Sequence, residues 1–316
     1  MADTFQAVVK SEGRTLHSLL LASERIRGAL PLALSIDSLI DTHAGNEEVE
    51  LCGKLAIVRA ILEAEKKSLP YVNVQDPDAK LNYSALAKTW FSSFFQLLTA
   101  NCRLEHLRDR FASVALVVFN YDRCIEHFLW HALQTYYGID ASRAQEELQG
   151  LRIYHPYGTV GQLALPRQPR VDGGSTLFGE KPGPTQLLQL TSQIRTFTEG
   201  TNRETTEIDL IHQNIAEARK LVFLGFAFHQ LNMELLTPPG GCVDSKSVHI
   251  YASGKGISRA DCEVIKGDLV RSFSTKKEWR ATAMVATEPE FEIARDLTCA
   301  QTLQEYWRSL SFEVSP

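Results

Sequence analysis

Apolar residues recur at helical spacing through the first part of the chain. In VELCGKLAIVRAILEAEKK (49–67), Leu51, Leu55, Val58, Ile61 and Leu62 share one helical face. Residues 1–70 read as mostly helical, with a break at GALPLALS (28–35). Ser35 is placed there to cap a helix beginning IDSLIDTH. LPYVNVQDPDAKLNY (69–83) reads as a loop or short extended piece, and SALAKTWFSSFFQLLTANC (84–102) as an aromatic, core-packed helix.

The period then changes. In ASVALVVFNYDRCIEHFLWHALQTYYG (112–138), Val114 to Phe119 have the length and branching of a strand buried on both faces. A helical stripe follows at once, formed by Ile125, Phe128, Leu129, Ala132, Leu133 and Tyr136. LRIYHPYG (151–158) predicts a short strand ending at His155. Residues 156–184 hold five prolines and six glycines, which predicts a long loop without regular elements. In ARKLVFLGFAFHQLNMELL (218–236), a strand over Leu221 to Leu224 runs into Gly225 and a turn before the next helix. SVHIYAS (247–253) predicts a further strand, ending in GKGIS. Strands alternating with helices predict an α/β fold with a doubly wound, mainly parallel sheet and flanking helices. Residues 1–110 are expected to form a helical region packed on the sheet and 111–316 the core, together one large continuous domain.

Composition narrows the function. A hydrophobic share of 44% with 22% charged residues is ordinary for a globular protein. A formal charge of -5 gives no electrostatic case for nucleic acid, and STKKEWR (274–280) is a short patch expected to be solvated. No apolar run reaches a membrane span, and the first residues lack a secretion-signal layout, so the chain is expected to be cytoplasmic. The six cysteines form no CxxC pair, which argues against a zinc module and for reduced, buried thiols; no metal is expected. His106, His127 and His131 lie in helical contexts and read as structural.

Chemistry gathers at the predicted strand ends. Asn120, Asp122, His155, Gly225 and His229 all fall at or just past them, where open α/β sheets bind ligands. Each has a plainer explanation. Asn or Asp after a strand commonly caps the following helix, a His before Pro is commonly a satisfied loop residue, and a glycine such as Gly225 commonly serves a tight turn. The coincidence of three strand ends favours a polar ligand site.

The segments FNYDRCIEHFL, IYHPYG and LVFLGFAFHQLNMELL, in that order, resemble the SIR2-like (sirtuin-related) NAD-binding family, in particular its bacterial branch, and LPLALSID (30–37) adds to the likeness. The resemblance spans roughly residues 30–270. It implies a Rossmann-like fold with NAD as substrate. By that analogy Asn120 positions an attacking water and His155 is the general base, a task suited to imidazole. Asp122 would contact the nicotinamide carboxamide, beside Tyr121. Gly225 would let the backbone approach the cofactor, with Phe226, Phe228 and His229 in the adenosine-side wall.

Two departures shape the expectation. The four-cysteine zinc module of sirtuin deacylases has no counterpart, so NAD⁺ hydrolysis is expected before protein deacylation. The glycine-rich phosphate loop also has no counterpart: HSLLLASERIRG (17–28) carries Gly28 alone. Either the first strand is missing, as in a fragment of a longer reading frame, or an unrelated helix stands in its place. Three readings stay open. One is an NAD⁺ glycohydrolase (NADase) of bacterial defence. The second is a catalytically silent SIR2-like module serving as a binding or assembly element, with a protein partner or its own copy; NAD or ADP-ribose is the small-molecule partner the resemblance implies. The third is an unrelated α/β protein whose motifs are caps and turns.

Overall fold

A computed structural model describes residues 2–74, 76, 79–166, 174–196, 199, 207–239, 248–274 and 290–312. The chain folds into two compact units, one of Met1–Asn82, Leu116–Leu148 and Ile153–Thr206, the other of Tyr83–Ala115, Gln149–Arg152 and Glu207–Pro316. This division differs from a boundary at residue 110, because the aromatic helix Trp90–Thr99 packs with the C-terminal helix Cys299–Glu305. The class is mixed α/β with small parallel sheets and flanking helices.

The first unit is built on the helix Glu47–Lys67. Asn46 caps it by accepting the Val49 N–H at 3.0 Å. Glu47, Glu48 and Glu50 sit in its first turn and Lys66 and Lys67 in its last, each complementing the helix dipole. Its buried face meets the helices Leu16–Ala29, Ile36–Thr42 and Pro184–Thr191. The core includes Leu19, Ile40, Leu55, Val58 and Leu190. Each such side chain removed from water contributes about 1.5–3 kcal/mol. Ser35 caps Ile36–Thr42 as expected, through a reciprocal pair with Ser38 at 3.1 Å in both directions.

Strands β1 (Ala115–Val117) and β2 (Arg152–Tyr154) pair in a two-stranded sheet, and the helix Cys124–Tyr137 follows β1. The expected strand Val114–Phe119 is therefore shorter, and it is half-buried rather than covered on both faces. β2 is its one partner in that ladder. The helix buries Ile125, Phe128, Leu129, Ala132 and Leu133 as the stripe requires, but Tyr136 is exposed. The expected loop over 156–184 contains two short parallel strands, β3 (Gln162–Leu163) and β4 (Ser175–Thr176). A tertiary contact holds them, as described below, and local composition does not encode it.

In the second unit β5 (Lys220–Phe223), β6 (His249–Ser253) and β7 (Glu290–Ala294) form a parallel sheet in sequence order. β6 is central and buried from Ile250 to Ser253. β7 is a strand that the sequence reading did not anticipate, although Glu290-Phe291-Glu292-Ile293 alternates with a period of two. The aromatic segment 84–102 is two helices, Tyr83–Leu86 and Trp90–Thr99. Thr89 and Ser92 both donate their hydroxyls to the Leu86 carbonyl, at 2.7 and 2.9 Å, and so end the first. Leu97, Tyr251, Leu303 and Leu310 pack together in this unit. Among the described residues, the strands make three separate small sheets and no helix is long and apolar enough to cross a membrane. Cys52, Cys102 and Cys262 are buried, as expected of apolar thiols; Cys242 and residues 275–280 of the basic patch lie outside the described residues.

Candidate functional site

Two of the sequence motifs meet in the first unit. His155, just past β2, sets Nδ1 3.2 Å from the Asn120 carbonyl and Nε2 2.7 Å from Glu126 Oε1. Both neighbours are acceptors, so a ring protonated on both nitrogens satisfies both contacts. Burial alone would lower the affinity of His155 for its second proton. The hydrogen bond and charge of Glu126 outweigh it, helped by the Asn120 carbonyl and the charge of Asp122, and the imidazole is held above its usual pKa. The carboxylate of Glu126 thus fixes the ring, in the way that carboxylates orient histidines in acid–base sites. Its other oxygen, Oε2, is buried and makes no hydrogen bond among the described residues.

The rest of the motif divides between solvent and core. Asn120 is exposed. Asp122 is half-buried, and its Oδ1 accepts the Cys124 N–H at 3.0 Å, a local turn contact at the first helical residue, while the cap position itself is Arg123. Tyr121 is 8% exposed and belongs to the apolar core of the unit. Its hydroxyl donates to Asp37 and lies 3.1 Å from the Arg195 carbonyl. Burial and the Asp37 charge push the phenol far above its ordinary pKa, while burial raises Asp37 against the hydrogen bond it accepts. Asp37 comes from LPLALSID, so two parts of the likeness are in direct contact.

Arg123, inside the same motif, was not singled out by the sequence. Its side chain is among the largest fully buried ones. Nε and Nη2 form a forked pair with Glu65, at 3.0 Å to Oε1 and 2.7 Å to Oε2. Nη1 donates to the Thr176 carbonyl at 2.8 Å and to those of Gly161 and Gln162 at 3.3 Å; Nη2 also reaches the Leu177 carbonyl at 3.3 Å. Glu65 in turn accepts the backbone N–H of Arg123 at 3.1 Å and of Gly179 at 2.9 Å. Gly179 has φ +64°, and a Cβ there would stand 2.8 Å from the Lys66 backbone, so only glycine fits. This pair fastens β3 and β4 to the helix that starts at Cys124. A charged residue just ahead of an apolar helix was the available signal.

His127 and His131 are structural, as expected. His127 stacks on Phe178 with ring centres 4.0 Å apart and meets the edge of His131 at 4.6 Å. Burial lowers His127 to about 3, with help from His131 and Arg123 and against a Pro70 backbone hydrogen bond; burial lowers His131 to about 4. Both are neutral near pH 7. His106, in the second unit, is exposed, with Nε2 3.6 Å from Glu105.

Gly225, Phe226, Phe228 and His229 belong to the second unit, in the turn after β5. Gly225 has φ +62° and donates its N–H to Ser253 Oγ at 2.8 Å. That N–H is thereby engaged within the unit. Phe228, also at positive φ, is buried with its ring 5.4 Å from Phe223 and 5.1 Å from Phe226. His229 is exposed and precedes the helix Gln230–Leu236. Among the described residues no group of three His, Cys, Asp or Glu side chains is arranged to hold a metal ion.

No family model matches the chain, and no curated protein or solved structure is significantly similar to it.

Proposed function

We propose that this chain is a SIR2-like protein of Rossmann-like, doubly wound ancestry that binds NAD and hydrolyses its nicotinamide–ribose bond, in the setting of bacterial defence. The observation that carries the reading is the contact of His155 with both Asn120 and Glu126, which brings two separate motifs of the likeness together beyond the ends of paired strands. In this reading Glu126 holds the proton on Nε2, and Nδ1 exchanges the Asn120 carbonyl for the attacking water that Asn120 positions. Deprotonated Nδ1 then takes a proton from the attacking water. Water adds to the anomeric carbon as the bond to nicotinamide breaks, and charge builds up at an oxocarbenium-like centre. Asp122 bears on the carboxamide. The test is nicotinamide release from NAD by the purified chain, followed chromatographically and repeated with His155→Ala. Release by the parent chain that is lost in a folded variant supports the reading; equal rates exclude His155 from the chemistry.

A second reading is a silent module that keeps the scaffold without turnover. Specific features favour it. The helices Ala2–Glu12 and Leu16–Ala29 occupy the sequence where the family's phosphate loop stands, the Gly225 N–H is taken, and the Tyr121 hydroxyl is fastened in the core. Calorimetric titration with NAD and with ADP-ribose separates the readings. Binding without turnover, or no binding to a folded sample, assigns the silent module.

A further inference from the structure

The second unit carries a cleft of about 480 Å³ at the β6–β7 pairing, on the face of the sheet where Tyr251 packs with Leu303 and Leu310 of the C-terminal helices. Its lining includes His249 and Tyr251 from β6, Glu290 and Glu292 from β7, and Tyr306 and Ser309 from the C-terminal helical segment. The register explains the grouping: His249 stands opposite Glu290 and Tyr251 opposite Glu292, so all four side chains rise from one face. Phe291, between the two glutamates on β7, completes the lining, and Lys266 Nζ stands 5.8 Å from its ring centre.

The cleft is negative and aromatic. His249 is its one basic side chain among the described residues, and its Nδ1 is 3.2 Å from Glu290. Glu292 forms no ion pair among the described residues. The Tyr251 and Tyr306 rings lie 5.0 Å apart at 51° and make the aromatic wall. Burial first, then the carboxylates of Glu292 and Glu305, raise the Tyr306 hydroxyl above its usual pKa. Among the described residues no three His, Cys, Asp or Glu side chains are grouped here to hold a metal ion. An ammonium group on a short carbon chain matches both features, its charge against the carboxylates and its polarised methylenes against the ring faces.

We propose that this cleft binds a small organic cation, an alkylammonium group held by Glu292 and Glu290 against Tyr306. The proposal is independent of any NAD chemistry in the first unit.

The test is titration of the full chain with 1,5-diaminopentane, read by calorimetry and by tyrosine fluorescence. 1,5-Pentanediol serves as the neutral control of equal length, and the peptide acetyl-Gly-Lys-Gly-amide runs in parallel. Saturable diamine or peptide binding, absent for the diol, is expected, and which of the two binds more tightly tells whether the ammonium comes free or on a lysine side chain. Glu292→Gln is expected to weaken binding about tenfold, as for loss of one hydrogen bond to a charged group. Glu292 forms no ion pair among the described residues, so the fold should survive; Tyr306→Leu is a second variant that removes the ring and leaves the carboxylates. Absence of saturable binding, equal binding of the diol, or affinity unchanged in both variants would overturn the proposal.

Discussion

Arg123 and Glu65, 58 positions apart in the chain, meet as a forked ion pair whose two side chains are 2% and 0% exposed. Every guanidinium nitrogen is engaged, and Glu65 also holds two backbone N–H groups. Removing one partner leaves a buried charge with no counter-ion. Glu65→Ala is therefore expected to cost about 3–5 kcal/mol, measured as the shift of the urea midpoint. The double variant Glu65→Leu, Arg123→Met should lose less than the sum of the single changes, since neither charge is then stranded.

His127 and His131 set a dependence on acid. Their folded-state pKa values, about 3 and about 4, lie below the unfolded value near 6.5. The unfolded chain therefore binds protons that the folded chain refuses, and stability falls as pH drops from 6.5 toward 4. Each histidine contributes a slope of up to about 1.4 kcal/mol per pH unit. His127→Phe, which keeps a ring against Phe178, should flatten the slope; denaturant midpoints at pH 7 and pH 5 for both proteins measure the difference. An unchanged slope would show that His127 is not the responsible group.

His155 shifts the other way. Its folded pKa is raised, so its contribution to stability is full below about 6.5 and is lost as pH rises through the folded value. If His155 is a base, the acid limb of any NAD-hydrolysing activity must lie above pH 6.5, because the unprotonated ring appears only there. Glu126→Gln should move that limb to lower pH and reduce the limiting rate by about 10²-fold or more, as Nε2 loses its carboxylate. A pH–rate profile that does not move would remove the pair from the mechanism.

Asp122 joins two roles that substitution can separate. Asp122→Ala removes the acceptor for the Cys124 N–H and should cost about 1 kcal/mol of stability. Asp122→Asn keeps an acceptor oxygen there but removes the charge, and should melt close to the parent chain. If Asp122 touches the nicotinamide carboxamide, both variants bind NAD more weakly. If it only holds that turn, Asp122→Asn binds as the parent does.

Gly225→Ala tests the turn after β5. A Cβ there would sit 3.5 Å from Cys299 Sγ, an ordinary contact, so crowding is not the obstacle. The positive φ is, and the substitution should cost about 1–2 kcal/mol, visible as a lower melting temperature.

Much of the local structure was legible. The apolar face of Glu47–Lys67, the cap at Ser35, the stripe after Asn120 and the strands at 115–117, 220–223 and 249–253 all follow from spacings of two to four residues. Such spacings record which side of an element is apolar, and an element's own backbone enforces them. The helix break at Leu86 and strand β7 were written in the same code, in the hydroxyls of Thr89 and Ser92 and the alternation of 290–293, but in fragments too short to stand out.

The site was only half legible. Asn120, Asp122 and His155 carried their chemistry openly, whereas nothing near His155 named Glu126 as the group that would hold its ring. Arg123 and Glu65 looked like surface charges in sequence, and β3 and β4 looked like loop. What made them otherwise is that a buried charge must find its counter-charge and carbonyls wherever the chain brings them, and here they come from segments 38 to 58 residues away. Side-chain period is a property of neighbours along the chain. Charge pairing in a water-poor interior depends on neighbours in space, and only the folded chain specifies those.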